Sequence, residues 1–128
     1  MKILNQEIQF DFYDAEQMQH FDEYTTKTIS EINKIDYKNS KQSYFISTIC
    51  SIIEECFDSL FGKGSSEKIF KGRKNFKLCI QAFKDLVRAR KEQEKEIFAE
   101  IESLNKEVEE LQKELNTLDE EYSEARIK

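Results

Sequence analysis

The chain has 128 residues, room for one domain and an extension but too little for two ordinary domains side by side. Its 38% apolar and 36% charged residues, with ten Phe, five Tyr, three Gly and no Pro, argue against a large catalytic cavity, wholesale disorder or an all-β sandwich, and for long helices on a modest core. The formal charge of −6 hides three blocks: 5 basic and 11 acidic side chains in residues 1–62, 10 and 2 in residues 63–91, and 5 and 13 in residues 92–128. Such a basic centre between acidic ends bears on association more than on fold.

Ile3 and Leu4 precede Asn5-Gln6, and Ile8, Phe10 and Phe12 follow at the period of two expected for a half-buried strand, which predicts a short hairpin. Asp14 suits an N-cap, with Gln17 at N3 of a loose capping box, and opens a helix whose inner face is Met18, Phe21, Thr25, Thr28, Ile32 and Ile35. The run Asp36–Ser40 interrupts that pattern, and Asn39 or Ser40 is expected to cap a second helix with the stripe Phe45, Ile49, Ile52, Ile53, Cys56, Leu60 and Phe61. Gly62-Lys63-Gly64 ends it, and Ser65 or Ser66 caps a short turn through Ile69-Phe70. After the cap at Asn75 no Gly or Pro occurs, so one helix of ~50 residues is expected from Phe76 to Arg126, about 75 Å at ~1.5 Å per residue.

The expected helix changes character along its length. Phe76, Ile80, Phe83 and Val87, reinforced by Leu78 and Leu86, form a stripe for the core, and Arg90–Glu96 then reads as a solvated neck. Beyond it Ile97, Ile101, Leu104, Val108, Leu111, Leu115, Leu118 and Tyr122 alternate spacings of four and three, a heptad seam with Ile101, Val108, Leu115 and Tyr122 at a and the others at d. No turn separates neck from seam, so the seam is expected to be completed by another chain. Mostly Leu at d favours a parallel pair, yet Glu100, Glu107, Glu114 and Glu121 occupy every g position and face Asn105, Gln112 and Asp119 in a parallel homodimer. A partner helix with Lys or Arg at e suits those glutamates better.

Chemistry-bearing patterns are sparse. His20 has no reachable nucleophile to activate, and Cys50, Cys56 and Cys79 are an odd set of reduced, buried thiols rather than zinc ligands or a disulfide framework. Glu54, Glu55 and Asp58 read as a solvated face. Gly62-Lys63-Gly64-Ser65-Ser66 lacks the first glycine of a phosphate loop, because Phe57 stands in its place. The basic cluster at Lys63, Lys68, Lys71, Arg73, Lys74 and Lys77 suits an acidic protein surface ahead of nucleic acid, with Lys71, Arg73, Lys74 and Lys77 as its contacts. No cofactor, metal or membrane segment is expected, and no signal sequence marks the N-terminus.

Two segments carry a resemblance. Phe10-Asp11-Phe12-Tyr13-Asp14-Ala15-Glu16, and Phe61-Gly62-Lys63-Gly64-Ser65-Ser66-Glu67-Lys68-Ile69-Phe70 followed by Asn75 and Cys79-Ile80-Gln81-Ala82-Phe83, resemble small proteins encoded among the tail genes of phages and prophages of Gram-positive bacteria. Such proteins look like tail assembly chaperones, which keep the helical tape measure protein soluble while tail tube subunits gather round it. The resemblance implies a non-enzymatic protein of the bacterial host cytoplasm, with a tape measure or tail tube protein as helical client.

The expectation is therefore a mainly α protein: a helical core domain with an N-terminal β-hairpin at residues 1–90, and a coiled-coil extension of the last helix at residues 91–128. Its expected role is that of a tail assembly chaperone or adaptor, forming a homo-oligomer through the C-terminal heptads. The alternative is a phage-encoded regulator that binds a host protein or nucleic acid through residues 63–91.

Overall fold

Two short strands and four helices follow one another in a computed structural model that describes the backbone of residues 1–127 and the side chains of residues 1–122. They are β1 (Lys2–Ile3), β2 (Gln6–Glu7), α1 (Ala15–Asn33), α2 (Gln42–Phe61), α3 (Ser65–Phe70) and α4 (Phe76–Ile127). The fold is mainly α, with an N-terminal antiparallel hairpin and a long C-terminal helix. The chain divides into two compact units, Met1–Glu92 and Gln93–Lys128.

The hairpin pairs Lys2 with Glu7 and Ile3 with Gln6. Its two turn residues, Leu4 and Asn5, both have positive φ (49° and 65°), as a tight two-residue hairpin turn requires. Asn tolerates that region, whereas Leu there costs about 1–2 kcal/mol. The Leu4 N–H donates to Asp85 Oδ2 on α4 at 3.0 Å, and Gln6 Nε2 donates to the Ile69 carbonyl on α3 at 3.1 Å, so both sides of the turn are tied to helices.

The expected strand through Ile8, Phe10 and Phe12 is a correction. The last ladder bonds join Met1 and Ile8, and residues 8–12 run on outside the sheet. Burial still alternates, with Phe12 buried, Ile8 and Phe10 half-buried, and Gln9 and Asp11 exposed. The period of two marked an extended segment laid on the core, which needs no pairing partner. Phe10 packs its ring against Phe12, Phe21 and Phe61 at centroid distances of 4.8, 5.6 and 5.6 Å, a geometry suited to edge-to-face contact.

Asp14 caps α1 as expected, its carboxylate accepting from Gln17 N–H at 3.0 Å. The capping box is incomplete, because the Gln17 side chain accepts from Asp11 N–H instead. Phe21, Thr25 and Thr28 are buried on the expected face. The two threonine hydroxyls donate to the carbonyls of Phe21 and Tyr24 one turn back, which satisfies polar groups that burial would otherwise penalise.

The start of α2 differs from expectation. Lys41 is the N-cap, without a side-chain hydrogen bond. Asn39 and Ser40 turn back to Asp36 instead: the Asn39 amide donates to its carboxylate at 2.8 Å and the Ser40 hydroxyl to its carbonyl at 2.7 Å. The Asn39 amide holds the Asp36 carboxyl below its ordinary pKa. On α2 Ile49, Ile53 and Cys56 are buried as read, and Cys50 and Phe57 join them.

Gly62 (φ 104°) and Gly64 (φ 92°) turn the chain from α2 into α3, and a Cβ at either would meet open space, so the backbone conformation alone selects glycine. Gly64, not a serine, is the N-cap of α3. The capping carboxylate comes from α2: Asp58 accepts from Ser66 N–H at 2.8 Å and from Ser66 Oγ at 2.9 Å. Lys71 ends α3 in the left-handed region (φ 55°).

Asn75 Oδ1 accepts from Leu78 N–H at 3.1 Å and opens α4 as expected. The inner face of α4 departs from expectation in part. Leu86 is buried and Ile80 and Phe83 pack against the core as expected, with Cys79 and Ala82 buried beside them, while Phe76 and Val87 are 39% and 41% exposed. Small Cys and Ala side chains let the helix approach the core closely, a role that a search for the largest apolar side chains overlooks. The core they complete includes Ile3, Phe12, Phe21, Ile53, Phe57, Ile69 and Phe70.

The neck at Arg90–Glu96 is less solvated than its composition implies. Arg90 and Gln93 are half-buried, and Arg90 Nε pairs with Asp22 Oδ1 of α1 at 3.2 Å. In the second unit, Gln93–Lys128, the described part of the chain is helical throughout. The expected extension reaches residue 128, and its residues 123–128 lie outside the described side chains.

Candidate functional site

The second unit is a helix with an apolar row in water. Ile101, Leu104, Val108, Leu111, Leu115, Leu118 and Tyr122 are 45–63% exposed, and Ile97, which begins the row, is half-buried. An α-helix with spacings of four and three brings these eight side chains onto one slowly turning stripe, the arrangement that knobs-into-holes packing uses. Fully burying an aliphatic side chain is worth roughly 1.5–3 kcal/mol, so covering the row is worth on the order of 10 kcal/mol gross even after generous discount for ordering.

The borders of the stripe are unlike. Every g position carries Glu, and the e positions carry Phe98, Asn105, Gln112 and Asp119. Phe98 is 59% exposed and widens the apolar edge at its N-terminal end. Reading the a and d positions alone passes over it; asking what stands at e finds it. Gln112 is committed within the helix, donating to Asn116 at 3.1 Å.

The basic segment is only partly available to a ligand. Lys74 is exposed but paired within the first unit, its Nζ 2.7 Å from Glu54 Oε2 and 3.1 Å from Ser51 Oγ. Lys71, Arg73 and Lys77 are exposed and, among the described residues, form no ion pair. All four expected contacts therefore face water, and three of them carry no ion pair among the described residues. Lys74 instead pins the start of α4 to α2.

The acidic and serine-bearing patterns have structural employment. Glu54 pairs with Lys74, and Asp58 caps α3. Ser65 Oγ donates to the Gly62 carbonyl at 2.7 Å, and with Ser66 donating to Asp58 both serine hydroxyls are committed within the fold, beside a carboxylate that would repel a phosphate. His20 is exposed, with its ring 6.2 Å from that of Tyr24. All three cysteines are buried free thiols. Burial pushes the Cys56 thiol up, and pushes that of Cys79 up to about 12 with the Cys50 thiol against it adding to the effect. Both are held in the protonated, unreactive form at neutral pH. Among the described residues, no helix is long and apolar enough to cross a membrane.

Residues 4–128 match the model of a family of unknown function (DUF6673), and the chain belongs to that family. No curated protein and no solved structure matches it.

Proposed function

We propose that this member of the family of unknown function is a non-enzymatic helix-binding assembly protein, whose α4 heptads dock a helical partner. The observation that carries this reading is the row of eight apolar positions from Ile97 to Tyr122, seven of them about half exposed or more, on a helix without an internal break. A row of that length favours a long helical partner, because each added heptad adds two buried side chains and little further ordering cost.

In the bacterial host cytoplasm, the resemblance to tail assembly chaperones makes the tape measure protein the client, with the row masking its apolar helical stretches until tail tube subunits replace it. Without client, copies of the chain associate through the same heptads. The test is co-expression with a tape measure protein. The full chain should raise the client's soluble fraction, and Leu104→Asp with Leu111→Asp should abolish that effect while the circular dichroism stays helical. Undiminished rescue by the double variant would contradict the row as client site.

A further inference from the structure

The first unit carries an apolar recess of about 270 Å³ where the first turns of α2 and α4 meet, lined by Gln42, Phe45, Ile46 and Phe76. Its aromatic wall continues outward: the Phe45 ring lies 6.3 Å from Phe76 and 6.2 Å from Tyr37, and Lys38 Nζ sits 5.9 Å over the Tyr37 ring. Phe76 and Tyr37 are 39% and 63% exposed, so apolar surface here faces water. The neighbours in sequence are basic. Lys41 precedes Gln42, and Arg73 and Lys77 flank Phe76; all three are exposed and, among the described residues, form no ion pair. The nearby carboxylates are engaged, Asp36 with Asn39 and Glu54 with Lys74. The start of α2 has no side-chain cap, which adds the positive end of a helix dipole to the same corner.

We infer that this recess receives the acidic heptad helix of a second copy of the chain, an aliphatic a or d side chain entering between Phe45 and Phe76 while Glu107 and Glu114 meet Lys41, Arg73 and Lys77. Charge complementarity selects that occupant. Residues 63–91 hold 10 basic and 2 acidic side chains, residues 92–128 hold 5 and 13, and the acidic block is also the one with the uncovered apolar row. Pairing two copies row to row in parallel would set Glu107 and Glu114 against Gln112 and Asp119, with no attraction gained and one repulsion added. Docking on the recess gives the same glutamates opposite charges and gives the row an apolar seat. This rests on the proposed role of the row, and names its partner in the free protein. A helical client with basic e positions would then compete for the row and release the copies.

A charge exchange between two full-length variants tests it. One carries Lys41→Glu, Arg73→Glu and Lys77→Glu; the other carries Glu107→Lys and Glu114→Lys. Lys41→Glu and Lys77→Glu place acids at helix N-termini, where they favour the helix, and Arg73 is exposed outside the helices, so folding is spared. Sedimentation equilibrium at low salt should show self-association of each variant alone weakened about tenfold. An equimolar mixture should restore it, because each basic surface then meets an acidic one, and added salt should weaken wild type and mixture alike. Wild-type association of the Lys41/Arg73/Lys77 variant, or a mixture no stronger than its parts, overturns the inference. If that happens while Leu104→Asp with Leu111→Asp still disperses the copies, the recess alone is wrong. If the leucine variant associates like wild type, the role of the row falls with it.

Discussion

The Leu4 N–H and the Asp85 carboxylate meet at 3.0 Å across 81 positions of sequence, joining the strained tip of the hairpin to α4. Asp85 Oδ1 also accepts from Gln81 Nε2 at 2.8 Å, which fixes the carboxylate toward the turn. A charge-assisted bond to a half-buried backbone donor lets Leu hold a φ of 49° that its side chain disfavours. Asp85→Ala should destabilise the chain by about 1–2 kcal/mol in urea unfolding and speed amide exchange at Leu4. Gln81→Ala, which leaves the carboxylate in place, should cost far less.

Lys71 supplies a test of opposite sign. It is exposed, ends α3 at a φ of 55°, and makes no ion pair among the described residues. Glycine carries no Cβ penalty at such a helix end. Lys71→Gly should therefore raise the urea midpoint, corresponding to about 0.5–1 kcal/mol, without changing the slope of the transition.

The buried thiol of Cys79 sets a pH dependence. Its folded pKa of about 12 lies above the unfolded thiol value of ~8.5. Below ~8.5 both states keep the proton and the full stability is present; as pH rises toward 12 only the unfolded state ionises, so stability declines. Denaturant midpoints should fall between roughly pH 8 and 10, and less steeply in Cys79→Ala, after allowing for its lower starting stability. Thiol-specific reagents should label the native protein slowly and the unfolded protein at once.

How far the fold could be read from the sequence depended on whether local chemistry met competition. Asp14 and Asn75 cap their helices as their positions imply, because no other partner outbids the N–H groups three residues on. Asn39 and Ser40 have the right side chains for a cap but are captured by Asp36, which leaves Lys41 at the start of α2. The cap of α3 comes from Asp58, a turn earlier on another helix, where a local search does not look. On α4 the large apolar side chains Ile80, Phe83 and Leu86 marked the inner face correctly, but Cys79 and Ala82, inside for being small, were missed, and Phe76 and Val87 lie at its exposed margins. The unbroken helix that carries the heptad row was legible, because no Gly or Pro follows Asn75 to end it. The recess at Phe45 and Phe76 was not legible, because it joins the starts of two helices more than thirty residues apart in sequence.

The most direct test of the account is sedimentation equilibrium of the full-length chain beside its Leu104→Asp, Leu111→Asp variant, across micromolar concentrations at physiological salt. The account predicts a wild-type mass that rises above the 15.2 kDa of one chain with concentration, and a variant that stays at that mass with its helicity kept. A wild-type chain that remains at the mass of one copy throughout, or a variant that associates equally well, would contradict it.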